Sequence, residues 1–286
     1  MYAYHLTGAG LVLLGIVTAI AALLGPLALD VIDHKVSDDM LNQVTGADAV
    51  SLFVVAPVTI AIGWLALRGH PAAPVLAVGP AAYAAYVSGQ LAIGQEFDRY
   101  TGNVEAFFPL YLGIFVLSGA VGMRAWSLTA RDRLPVLTQR TARIGGIAMI
   151  LVAVFLVVGL HLPGLADAWS AEPTSDEYLE NPTVFWVVKL MDLGIVVPVA
   201  VATGAGLLRG ALWAQQAGYA VIAWFALLGA AVTAMAVTML VNDDPAASAG
   251  LAVGFGVFTI VFALLWTWLA RPLFGSTFVR SASVRG

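Results

Sequence analysis

LFVVAPVTIAIGWLALRG, residues 52–69, and LGIVVPVAVATGAGLLRG, residues 193–210, are the two stretches on which the fold turns. Each is a long apolar run closed by Arg-Gly. Pro57-Val58, Ala61, Gly63 and Leu67-Arg68-Gly69 fall without a gap on Pro198-Val199, Ala202, Gly204 and Leu208-Arg209-Gly210, at the offset 198 − 57 = 141. The same register sets Leu52 on Leu193 and Val55 on Val196, and later Leu110, Gly113 and Val116 on Leu251, Gly254 and Val257. Each run is close to the roughly 20 residues that cross a hydrocarbon core as an α-helix.

Working outward, such runs fill the chain. Of its 286 residues 60% are hydrophobic and 10% charged, against roughly 25% charged in a soluble domain. So few charges cannot clothe a water-soluble surface. Hydropathy predicts eight transmembrane helices, at 6–29, 50–67, 72–94, 107–125, 144–165, 184–208, 211–241 and 248–270. The first run is read as a span, because it has no basic leader or cleavage site. Cysteine is absent, which excludes disulfides, thiolate metal centres and cysteine nucleophiles. No phosphate-cradling glycine loop, Gly-x-Ser-x-Gly elbow or His-Glu-x-x-His helix is present. No cofactor is expected.

Short loops rich in Lys and Arg stay in the cytoplasm. Arg68, Arg124, Arg131, Arg133, Arg140, Arg143, Arg209, Arg271, Arg280 and Arg285 all fall on one side of an eight-span path, and the opposite loops hold nearly all the carboxylates. This pattern predicts a multi-pass protein of the plasma (inner) membrane, with both termini cytoplasmic and the acidic loops outside. The offset divides the chain into a first four-helix repeat at 1–126, a basic connection at 127–143, a second four-helix repeat at 144–271 and a cytoplasmic tail at 272–286. With four spans in each, the halves share one orientation, so the axis relating them runs along the membrane normal.

At this block, and at Tyr83, Tyr86, Phe108-Pro109-Leu110-Tyr111, Asp192-Leu193-Gly194 and Pro198, the chain resembles a family of uncharacterised multispan bacterial integral membrane proteins. The resemblance covers most of the membrane part. It implies the architecture and no activity.

Charged and polar residues inside spans carry whatever chemistry there is, because hydrocarbon makes them expensive. Lys189 and Asp192 share a helix face in span six. The 141-residue register sets Asp48 opposite Lys189 and Ser51 opposite Asp192, which raises a bridge from Asp48 to Lys189 across the halves. Span three presents Tyr83, Tyr86 and Gln90 at helical spacing. His34 in the acidic first loop and His161 at the end of span five are candidate metal ligands, although no spacing sets two ligands on one helix face. Gly113, Gly119, Gly250, Gly254 and Gly256 are read as sites of close helix approach. Pro57 and Pro198 interrupt helix hydrogen bonding and are expected to kink their spans.

Three functions fit these residues. The leading one is binding or transport of a small solute, ion or proton through an outward-facing cavity lined by Tyr83, Tyr86, Gln90, Lys189 and Asp192. A second is an accessory or assembly subunit that packs on a membrane partner or on its own copies. The third is an enzyme acting on a lipid-like molecule at the outer face, with Asp33, His34 and His161 as acid/base groups or ligands. The basic connection is matched to anionic lipid headgroups rather than to nucleic acid.

Overall fold

The computed structural model describes residues 2–129 and 134–275. Among the described residues there is no strand, and eight helices are long and apolar enough to cross a bilayer. We label them α1 (Tyr2–Leu24), α2 (Asp38–Leu67), α3 (Ala73–Ile93), α4 (Val104–Leu128), α5 (Gln139–Ala168), α6 (Pro182–Leu208), α7 (Leu212–Val241) and α8 (Ala249–Phe274). The chain is thus a multi-pass membrane protein. Arg131, Arg133, Arg280 and Arg285 lie outside the described residues.

Several helix ends differ from the hydropathy reading, including the start of α5 at Gln139 rather than 144. α1 stops at Leu24 rather than 29 because Gly25-Pro26 ends it. α2 starts twelve residues earlier than expected, 50 − 38 = 12, at Asp38. Its first turns are polar and escape a hydropathy window, yet Asp38 and Asp39 in the first turn suit the positive end of a helix. Asp48, expected in a loop, is therefore a buried helical residue.

Loops alternate between two ends. At the acidic end the 25–37 loop is stitched to its neighbours by side-chain amides. Gln95 Oε1 accepts from the Lys35 amide at 2.9 Å, Asn103 Oδ1 from the Asp33 amide at 2.9 Å, and Asn181 Oδ1 from the Ser37 amide at 3.0 Å. The other end carries the Arg68 and Arg209 turns, where Gly69 and Gly210 adopt left-handed φ of 71° and 70° that other residues reach with difficulty. There Gln216 Nε2 donates to the Trp126 carbonyl and Tyr219 to the Pro135 carbonyl. Lys35 and Arg99 are basic residues at the acidic end. Lys35 pairs with Glu105, and Arg99 donates to the backbone carbonyls of Leu179 and Glu180.

Consecutive helices pair as α1/α2, α3/α4, α5/α6 and α7/α8, with α3 and α7 packed on each other in the middle. A Cβ placed on Gly79 of α3 would lie 3.1 Å from the Ala220 carbonyl of α7 and 2.9 Å from the Ala223 side chain. Glycines make the closest approaches. A Cβ on Gly63 would fall 2.9 Å from the Gly8 carbonyl oxygen, and one on Gly204 2.9 Å from that of Gly146. The glycines expected to do this are elsewhere. A Cβ on Gly113, Gly119 or Gly254 would meet nothing within 4 Å, since these residues face outward from α4 and α8. Periodicity alone could not tell a packed small face from a lipid-facing one.

Three turns are widened to π geometry: Ser51–Val55, Phe155–His161 and Asp192–Val196. Each ends two residues before a proline, at Pro57, Pro163 and Pro198. A proline ring lacks the amide hydrogen and crowds the carbonyl of the preceding turn, and a widened turn accommodates both. The expected kinks thus take the form of π turns, and the one before Pro163 was not anticipated.

Gly63→Ala and Gly204→Ala should each lower stability by about 1–3 kcal/mol through backbone overpacking. Gly113→Ala should be neutral or raise it by up to about 1 kcal/mol through helix propensity. Thermal unfolding of the three variants in detergent micelles measures this contrast.

Candidate functional site

Each π turn carries a polar residue of the membrane interior. Ser51 and Asp192 open their turns and His161 closes the third. Both Ser51 and Asp192 reach a tyrosine of α3. The Ser51 hydroxyl lies 3.2 Å from the Tyr83 hydroxyl, and Tyr86 donates its hydroxyl to Asp192 Oδ1 at 2.5 Å. The two tyrosines stand one helical turn apart, so they face neighbouring sectors of the bundle.

Around Asp192 the contacts form a chain. Gln90 Nε2 donates to the Tyr86 hydroxyl at 3.1 Å, Tyr86 donates to Asp192, and Asp192 Oδ2 accepts from His161 Nε2 at 2.8 Å. His161 is 1% exposed, and its Nδ1 has no hydrogen-bond partner in the protein. An imidazole whose Nε2–H is engaged by a carboxylate keeps an Nδ1 lone pair able to take a proton, and that carboxylate compensates the resulting charge.

The candidate residues therefore divide into separate groups. Tyr86, Gln90 and Asp192 join one network with His161, and Tyr83 joins Ser51. Asp48 is 6% exposed, with Oδ2 unpartnered. The bridge between Asp48 and Lys189 does not form. Lys189 Nζ instead pairs with Glu177 Oε1 at 2.9 Å and lies 3.7 Å from the Phe185 ring centroid. Asp192 is taken by His161 and Tyr86, not by Lys189. Spacing placed Lys189 and Asp192 on one face, but at distances set by other helices each found a partner outside its own.

His34 and His161 belong to different networks. His34 is 3% exposed, with Nδ1 3.3 Å from Gln95 Nε2 and its ring 6.4 Å from that of Tyr111. Burial holds its pKa down, at about 4 against an ordinary 6.5. Among the described residues no three imidazole or carboxylate groups converge as metal ligands.

Glu96 is a structural residue whose role sequence reasoning passed over. Its carboxylate accepts from the Thr183 amide at 2.5 Å, the Thr183 hydroxyl at 2.9 Å and the Val184 amide at 3.3 Å, capping the start of α6 from the loop after α3. Two exposed amides of a helix start are satisfied by one anion, where the helix dipole also favours it. His161 was visible only as a weak ligand. A histidine two residues before a proline within an apolar span was the available signal.

No family model matches this chain, and neither a curated protein nor a solved structure matches it.

Because His34 is held neutral by burial, the unfolded chain binds more protons than the folded one between pH 6.5 and about 4. Its contribution is therefore fully present above pH 6.5 and is lost as pH falls through that window, to a total of about 3 kcal/mol at 1.36 kcal/mol per unit. Unfolding midpoints across this range should fall less steeply for His34→Gln than for the parent.

Proposed function

We propose that this protein is a carrier that accepts a proton inside the bilayer at the His161–Asp192 pair and couples it to movement of a small solute or ion. The observation that carries the reading is the buried imidazole with an open Nδ1 lone pair, held by a carboxylate that also receives Tyr86. Ionisable groups inside spans are expensive and concentrate where charge is moved. Tyr86 and Gln90 extend the hydrogen-bonded chain along α3 toward the acidic end, so protonation at His161 is linked to groups that a cargo could meet. The Lys189–Glu177 pair at the same end adds a second charged contact.

In this reading the protein is two parallel four-helix repeats. Four observations support it: π turns at Ser51–Val55 and Asp192–Val196, left-handed Gly69 and Gly210, the Gly8/Gly63 and Gly146/Gly204 contacts, and the meeting of Gly79 with Ala220 across the middle. Three of these pairs obey 192 − 51 = 210 − 69 = 220 − 79 = 141. Contact between equivalent positions is what an axis along the membrane normal produces. The arginine end lies in the cytoplasm by the loop-charge rule, with the acidic loops outside a plasma membrane. The lipid-enzyme reading loses support, because His34 and His161 sit in different networks.

Protein reconstituted in liposomes on a solid-supported electrode should give a transient current when external pH is stepped. Asp192→Asn should reduce it about tenfold or more, and His161→Asn should act likewise. A parent protein no different from protein-free liposomes, or an undiminished Asp192→Asn, would overturn the reading.

A further inference from the structure

A second buried carboxylate lies outside this network. Asp48 and Thr18 are 6% and 8% exposed, and Asp48 Oδ2 and Thr18 Oγ1 both lack a hydrogen-bond partner in the protein. Several other buried or half-buried helical threonines do find a backbone acceptor. Thr7, Thr45, Thr59 and Thr233 each donate to the carbonyl four residues back. Thr18 and Asp48 line one small cavity of about 20 Å³ together with Ser51, Tyr83, Ser88 and Tyr111. The backbone of Gly25 lies against this carboxylate, since a Cβ there would fall 2.2 Å from Asp48 Oδ2.

We propose that Asp48, Thr18, Ser51 and Tyr83 bind one dehydrated monovalent cation of about sodium size, in a site separate from the Asp192–His161 pair. Three features converge on this chemistry. The ligands are all oxygens, which hard cations prefer. The cavity holds about one water-sized body, too small for an organic solute or a hydrated ion. Asp48 is the one carboxylate among the residues lining this cavity, and no imidazole lines it, which matches a single positive charge. A bare carboxylate in a span is costly, and several hydroxyl oxygens with spare lone pairs around it offer more acceptors than one proton requires.

A larger cavity adjoins the site at the acidic end. This second cavity, of about 240 Å³, is lined by Phe97, Glu105 and Phe108, and it shares Leu91 and Tyr111 with the small one.

This inference goes beyond the proton reading and stands without it. The test is thermal unfolding of the detergent-solubilised chain in sodium, potassium or N-methylglucamine chloride at constant ionic strength, with binding of radioactive sodium measured in parallel. Going from nominally sodium-free buffer to about 150 mM sodium should raise the unfolding midpoint by roughly 2–4 °C, with potassium giving less. About one sodium ion should bind per chain. Asp48→Asn should abolish both effects, and Thr18→Val should weaken sodium binding about tenfold, the scale of one lost oxygen ligand. Asp192→Asn should keep the sodium response, which separates this site from the proton pair. Equal midpoints in all three salts with no bound sodium would overturn the proposal, leaving Asp48 a protonated acid. A full sodium response in Asp48→Asn would overturn it too. Should Asp48→Asn not fold, parental sodium binding and the Thr18→Val comparison decide the matter.

Discussion

Hydrocarbon offers no hydrogen bonds, so a transmembrane backbone must pair its own amides, and a proline withdraws one of them. Pro57, Pro163 and Pro198 impose that loss on α2, α5 and α6, and each of these helices responds by widening the turn just before it. Ser51, His161 and Asp192 lie at the edges of those turns. Polar side chains are thereby held where the ladder is irregular, with Ser51 and Asp192 reaching tyrosines of α3 and His161 reaching Asp192. The backbone defect and the polar network are two aspects of one adaptation.

A second constraint complements it. Association between apolar helices in lipid depends on close van der Waals packing, so backbones must touch. Gly8 against Gly63 and Gly146 against Gly204 bring α1 onto α2 and α5 onto α6 at carbonyl-contact distance. These paired helices flank the central α3/α7 contact. Because Ser51 and Asp192 are carried by α2 and α6, the glycine contacts help fix how far each polar residue stands from the tyrosines of α3.

Much of the fold was readable in the residues, since the length and greasiness of the spans report directly on their solvent. Hydropathy located all eight helices and misplaced several ends, most of all the polar first turns of α2 from Asp38, with smaller shifts at Tyr2, Leu24 and Gln139. The matched proline-to-arginine blocks pointed to kinks at equal positions, and these take the form of π turns. The site was readable in part. Tyr83, Tyr86, Gln90 and Asp192 were singled out as polar residues in oil, and that criterion says which groups need partners without saying which partners they find. Lys189 turned to Glu177, Asp192 to His161, and Asp48 to neither, because those choices depend on the rotation of distant helices. Small residues misled for the same reason, as Gly113 and Gly254 face away from the bundle.

The Glu96 cap has a mechanical consequence. One carboxylate grips the first turn of α6 through three hydrogen bonds, while the same loop holds the Lys35 carbonyl through the Glu96 amide. Bonds to a charged acceptor contribute about 1.5–3 kcal/mol each. The 25–37 loop, the α3–α4 connection and the head of α6 are therefore riveted into one plate, and α6 cannot slide along its axis without dragging the lid of the bundle or shearing that rivet.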